Sequence, residues 1–251
     1  MADRILIEFL KPGHGTKTDR DAYSWVQCVE TRSTHRKLMG RVQHGLKTWV
    51  ESTLKVQISR RPEYRGSTFI TEYHHQSYNG PWCRGRDIAD YLIHRGLRPS
   101  HYLLDFGCGC IRAGIWLIEY LDDGHYFGLD AHLQSLEAAV EYEIPLHNLE
   151  GKHPRFLHTK TFDLDYFQQT FDIILANSVL HHLSESQLDT ALRNVASSLS
   201  PSGRLVLTPG LPQDKAALAS KYKWQLTHVE KRRSKFSDAD IEWFELTPSR
   251  A

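Results

Sequence analysis

Four cysteines in 251 residues (Cys28, Cys83, Cys108 and Cys110) are too few and too irregularly spaced to build a disulfide framework. Cys108 and Cys110 also lack the two-residue spacer of a zinc knuckle, so free thiols in a reducing, cytoplasmic setting are expected. Nowhere do ~20 apolar residues run together, as a membrane-spanning helix requires. The opening MADRILIEFLKPGHG has no apolar core of a secretory signal. A soluble protein with no membrane partner is therefore expected. Excess charge of one sign is missing too: a formal net charge of +1 gives no overall electrostatic argument for a polyanionic partner. No internal repeat or low-complexity segment interrupts the chain.

The length suits one large α/β domain with an appendage. Charge is unevenly spread, since residues 1–65 carry 13 Lys or Arg against 7 Asp or Glu, and the remainder carries 18 against 23. The basic end either meets an acidic or nucleic-acid partner or forms a solvated face. Within residues 1–83, RILIEFL reads as a strand, LMGRVQHGLKTWVESTLKV as an amphipathic helix, and SRRPEYRGSTFITEYHHQSYNGPWC as turn-rich and aromatic. This segment is expected to be a cap contributing to an acceptor site, with the main domain at 84–251.

From about position 84, short apolar runs alternate with segments of helical period, the pattern of a parallel sheet covered by helices on both faces. The strands are HYLLDF (101–106), HYFGLD (125–130), RFLHT (155–159), FDIILAN (171–177) and GRLVLT (203–208). Helices are expected over DIADYLIHRGL, IRAGIWLIEYL, LQSLEAAVEYEI and ESQLDTALRNVASSL, with Pro201, Ser202 and Gly203 as the turn into the fifth strand. The end of the chain breaks the rhythm. YKWQLTHVEKR and DIEWFELT leave no room for a helix between them and should form an antiparallel hairpin.

The strongest chemical signal is Leu104-Asp105-Phe106-Gly107-Cys108-Gly109, an apolar strand ending in a glycine pair that runs into a helix. Glycines let the backbone turn tightly and approach a ligand, and the following helix N-terminus offers unpaired N–H donors. A dinucleotide fingerprint would have a third glycine three residues on, where Arg112 stands, which argues against a nicotinamide cofactor. Asp130 ends the next strand, where a carboxylate can accept from both ribose hydroxyls of a nucleoside cofactor or cap the helix that follows.

LLDFGCG resembles motif I of the class I S-adenosylmethionine (SAM)-dependent methyltransferases, and the resemblance extends over about residues 78–247. It implies a seven-stranded sheet in the order 3-2-1-4-5-7-6, with strand 7 antiparallel and built around Trp243 to Leu246. It also implies that the loop Gly107-Cys108-Gly109 passes along the methionine part of SAM while Asp105 holds its amine, and that Asp130, followed by Ala131, holds the ribose. Asp163 and Leu164 stand where the family contacts adenine, with Asp165 a rival. The stretch from Gly107 to Asp130 also resembles a bacterial subset with a Leu-Arg-Gly-Gly pattern, but Ile111, Ala113 and Gly114 match it imperfectly, so no substrate is carried over.

The run from Phe171 to Leu183 resembles the fourth-strand motif of small-molecule methyltransferases, an "FD" strand followed by "HHL". Asn177 then joins the cofactor-binding set. Asn177-Ser178-Val179 is not the sequence by which nucleobase amino-methyltransferases grip a planar amine. His181 and His182 are the candidate general bases, or they pack and support the loop. Neither His181-His182 nor His74-His75 has the spacing of a zinc motif, and no metal is expected. Arg86 is a candidate partner for the SAM carboxylate, with a surface ion pair as the alternative. Tyr73, Tyr78 and Trp82 either shield the sulfonium or pack in their turn.

The expected activity is methyl transfer to an oxygen, ahead of a nitrogen, of a small molecule such as a sugar or natural-product scaffold. Rival readings are an enzyme acting on RNA or a nucleotide-linked substrate and a SAM-binding protein without turnover, with a nicotinamide oxidoreductase a distant fourth. The acceptor pocket is expected between the N-terminal 80 residues, the loop after the fourth strand and Thr208 to Gln213.

Overall fold

A computed structural model describes residues 5–7, 84–208, 221–235 and 239–249. One mixed sheet organises them, with strands β1 (Ile5–Ile7), β2 (Leu103–Phe106), β3 (Tyr126–Asp130), β4 (Arg155–His158), β5 (Phe171–Ala176), β6 (Leu199–Leu207), β7 (Trp224–Arg233) and β8 (Asp240–Pro248). Their spatial order is β1-β4-β3-β2-β5-β6-β8-β7. Counted from β2, this is the expected 3-2-1-4-5-7-6, with β8 antiparallel to β6 and paired with β7 as a hairpin.

The sheet exceeds the expectation by one strand, because β1 pairs antiparallel with β4. The backbone N–H and C=O groups on the outer side of β4 thereby gain partners. The rest of residues 1–83 lies outside the described residues, including the expected helix, His74, His75 and the aromatic turn.

Two apolar layers flank the sheet because side chains alternate along each strand. Leu103, Ile173, Leu175, Val206 and Trp243 face helices α1 (Arg84–His94), α2 (Gly114–Tyr120) and α3 (Leu133–Ala138). Leu104, Phe106, Ile174, Leu205, Leu207 and Phe244 face α4 (Glu185–Ser198), whose start is fixed by a capping box between Ser184 and Gln187. The α3 segment widens into a π-turn at Ala139–Glu143 rather than continuing as one regular helix.

Two expected boundaries shift. Pro201, Ser202 and Gly203 belong to β6 itself, within an irregularity that steps the β5 pairing from Leu199 to Arg204. A Cβ at Gly203 would lie 2.6 Å from the Phe171 carbonyl oxygen, so the strand closes there only on glycine. The helix expected from Ile111 begins at Gly114, since Ile111 adopts a left-handed φ of 56° and cannot be part of it.

Helix α1 is tied to the far edge of the sheet. Buried Asp87 accepts hydrogen bonds from the Ser234 hydroxyl (2.5 Å) and the Lys235 backbone N–H (3.0 Å). Buried Glu245 on β8 accepts from Tyr91 (3.1 Å) and Arg95 (2.7 Å), and Arg204 on β6 approaches its other oxygen at 3.2 Å. Tyr91 stacks on Trp243 with centroids 3.8 Å apart.

Candidate functional site

A cleft of about 910 Å³ opens at the C-terminal ends of β2, β3 and β5. This is where an open parallel sheet reverses its strand order and where ligands of such sheets sit. The glycine loop after β2 forms its floor. Gly107 has φ +77° and Gly109 φ +55°, and a Cβ on Gly107 would fall 2.5 Å from Val179 Cγ2, so the loop after β5 seats directly against this glycine. On its outer flank the loop meets α1. A Cβ on Gly85 would lie 1.9 Å from the Arg112 carbonyl oxygen, so the start of α1 rests on the backbone that follows the glycines.

Acidic groups anchor both sides of the loop. Asp130 at the end of β3 accepts the Gly109 N–H at Oδ2 and the His132 N–H at Oδ1, each at 2.8 Å. It therefore holds the loop as well as the start of α3, whose own N-cap is His132. Asp105 is buried and accepts the Tyr126 hydroxyl at 2.9 Å. Burial pushes its carboxyl up to about 7, the Tyr126 hydrogen bond opposes this, and the nearby charge of Asp130 adds to it.

The loop after β5 supplies the opposite wall. Asn177 Oδ1 accepts the Thr208 hydroxyl at 2.5 Å, and Ser178 adopts a left-handed φ of 53°. His181 and His182 follow on a single 3₁₀ turn (Leu180–His182), exposed, with ring centroids 3.8 Å apart. Burial, and then the charge of His182, lower the pKa of His181 below its ordinary 6.5.

Of the residues singled out in the sequence, Asp105, Gly107, Cys108, Asp130, Ala131, Asn177, His181 and His182 line this one cleft. Gly109 stands just behind its wall, bonded to Asp130. Asp163 and Leu164 do not line it: Asp163 Oδ1 accepts the Asp165 N–H at 3.2 Å, and Leu164 is buried in the layer facing α4, leaving Thr159, Lys160 and Phe162 as the contribution of that loop. Arg86 is exposed and lies 5.4 Å over the Trp116 ring, while Arg84 lines the cleft. Helical phase separates them, since two residues turn a helix by about 200°. Arg84, Arg112, Lys160, Gln187 and Ile241 carry no motif and reach the cleft only through the tertiary fold. Among the described residues no group of His, Cys, Asp and Glu is placed to hold a metal ion, and no helix is long and apolar enough to cross a membrane.

Residues 104–205 match the family model described as a methyltransferase domain. Over this span, less than half of its length, the chain is similar to methyltransferase domains. Its fold is similar to that of a magnesium protoporphyrin IX methyltransferase from Synechocystis PCC 6803, solved with bound SAM, at 15% identity over 81% of this chain and 95% of that one, with a TM-score of 0.53. A SAM-dependent methyltransferase from Clostridium acetobutylicum is similar at 10% identity over 73% and 98%, with a TM-score of 0.55. A glycopeptide N-methyltransferase complexed with SAM is similar at 12% identity over 65% and 94%, with a TM-score of 0.51. These likenesses concern the fold; the magnesium protoporphyrin IX and glycopeptide enzymes are named for different acceptors.

Proposed function

We propose that this methyltransferase binds SAM in the cleft above β2, β3 and β5 and transfers its methyl group to an oxygen of a small molecule such as a sugar or natural-product scaffold. The observation that carries this reading is the convergence of Asp105, Asp130 and the His181-His182 pair on one cleft. The residues present fit the cofactor. The volume suits a ligand of that size. Gly107, at φ +77°, brings the loop backbone to the cleft, and Asp105 offers an anionic partner to a cationic amine. Asp130 receives one backbone N–H on each oxygen, and a carboxylate oxygen has a second lone pair for a ribose hydroxyl.

When bound, SAM supplies an electrophilic methyl group on a sulfonium, and methyl transfer is an in-line displacement whose rate depends on alignment. The glycine loop, locked between Val179, α1 and Asp130, fixes one reactant. Asn177, its carbonyl oxygen held by Thr208, lines the cleft beside it. His181, with its lowered pKa, is neutral near pH ~7 and able to take the proton of an acceptor hydroxyl.

Titration with S-adenosylhomocysteine (SAH) tests the cofactor, which should raise the thermal midpoint by mass action. No heat and no thermal shift at millimolar SAH would remove SAM from the account. Incubation with labelled SAM and metabolite extract tests the acceptor. A label recovered as an O-methyl group on a small molecule supports the reading, and a label recovered on RNA overturns it.

A further inference from the structure

Tyr126 opens β3 opposite Leu103, and its ring reaches one pleat along the sheet to Asp105 on the same face of β2. Both residues are almost wholly enclosed, at 1% and 3% exposure. The hydroxyl fits only because position 114 is glycine: a Cβ there would stand 2.5 Å from the Tyr126 oxygen. The hydroxyl donates to Asp105 Oδ2, while Oδ1 has no hydrogen-bond partner among the described residues and Asp105 lines the cleft. One carboxyl oxygen is thus pinned from within the core.

We propose that Tyr126 is a positioning residue for the cofactor: its hydroxyl holds the Asp105 carboxyl with Oδ1 presented to the cationic amine of the methyl donor, and the pair couples cofactor binding to release of one proton. This rests on the cleft being the SAM site.

The ionisable groups around Asp105 set the direction of the coupling. From β3 come the Tyr126 hydroxyl, which favours the carboxylate, and Asp130, which opposes it; from the glycine loop comes Cys108, whose buried thiol is held neutral. Arg84 of α1 and Arg112 line the same cleft. Burial, with the charge of Asp130, favours the protonated carboxyl of Asp105, and the Tyr126 hydrogen bond opposes them. An ammonium arriving at Oδ1 supplies the opposite charge, the carboxyl proton leaves to solvent, and ionisation and binding favour each other. Without the Tyr126 hydroxyl the carboxylate loses its one hydrogen bond from the core, and ionisation requires a higher pH.

The test is calorimetric titration of the full chain with SAH between pH ~5.5 and ~7.5, where the amine of SAH stays protonated, in two buffers of different ionisation enthalpy. The wild type should release a proton on binding and lose about tenfold in affinity across that range as the pH falls. Tyr126→Phe, which keeps the ring, should move the pH of half-maximal affinity up by about one unit. Asp105→Asn should abolish both proton release and pH dependence. A Tyr126→Phe profile matching wild type overturns the positioning role, and binding by wild type with no proton release overturns the coupling. Absence of any SAH binding by wild type removes the SAM reading itself. Should Tyr126→Phe not fold, Gly114→Ala crowds the same hydroxyl and should give the same upward shift, with an unshifted profile counting against the proposal.

Discussion

Gly109 donates its backbone N–H to the Asp130 carboxylate at 2.8 Å, which stitches the glycine loop to the end of the neighbouring strand. The acid proposed to read the ribose therefore also shapes the surface proposed to carry the rest of the cofactor. Asp130→Ala removes both functions and should weaken SAH binding by about 1 to 3 kcal/mol, while lowering the thermal midpoint of the ligand-free protein. Asp130→Asn keeps one acceptor oxygen and should fall between. Calorimetry and thermal denaturation on both variants separate the roles. If Asp130 serves only the backbone of Gly109 and His132, stability falls in the alanine variant and affinity does not.

What the sequence made legible follows from which interactions are local. Phe171 to Ala176 is a near-continuous apolar run because both faces of β5 are covered, and its buried side chains appear in both layers of the core. Gly107 announces itself through the turn it makes. Gly85 is as constrained, but by the carbonyl of Arg112, and nothing within its own neighbourhood in the sequence reveals that. The same limit separates Arg84 from Arg86. Only the start of α1 decides which of two nearby arginines faces the cleft, and helix starts are the weakest feature of a periodicity. Ile111 failed as a helix start because an apolar side chain at a left-handed position looks identical, in sequence, to one buried in the first helical turn. Resemblance points to Asp163 and Leu164, but the loop turns so that Phe162, with φ +57°, lines the cleft while Leu164 packs in the layer facing α4.

Stability should depend on a buried charge cluster remote from any chemistry. Glu245 joins Tyr91 of α1 and Arg95, just past its end, to Arg204 of β6, and it is 4% exposed. Burial alone would raise its pKa, but the hydrogen bond from Arg95, the charges of Arg204 and Arg95 and the Tyr91 hydroxyl together hold it below the ordinary 4.5. A carboxyl whose folded-state pKa is depressed contributes stability that is present above the unfolded value and lost as pH falls through the folded one. Glu245→Ala strands two guanidinium groups and a phenol, and should cost about 3 kcal/mol, which for a chain of this size lowers Tm by roughly 6 to 12 °C. Thermal scans at pH ~7 and pH ~3 check both points, since the gap between wild type and variant should narrow in acid as Glu245 takes up its proton. An equal gap at both values would mean that packing of the side chain, and not its charge, holds α1 to the sheet.

The general base is the remaining question, and it turns on two imidazoles with different surroundings on one 3₁₀ turn. An alcohol is a poor nucleophile until its proton is taken, and a placed base is worth ~10²- to 10⁴-fold in rate. His181 is the better candidate, because burial and the charge of His182 lower its pKa and keep it unprotonated at neutral pH. Its replacement by Gln should depress turnover by that order and leave SAH affinity nearly unchanged, since the proton moves only on the way to the transition state. The sign of the pH effect follows from the direction of the shift: with SAM saturating at every pH, turnover of wild type should be flat near pH ~7 and fall only as acid protonates the imidazole below 6.5, and the His181→Gln variant should lose that acid limb. His182→Gln removes the neighbouring charge, so the acid limb should then move to a higher pH while the rate at pH ~8 changes little. A packing role would give another pattern, with stability or cofactor affinity falling together with turnover. Steady-state rates, SAH affinity and thermal midpoint for both variants between pH ~5.5 and ~8 decide between them, and two variants with near wild-type turnover would leave alignment of the reactants as the source of the rate.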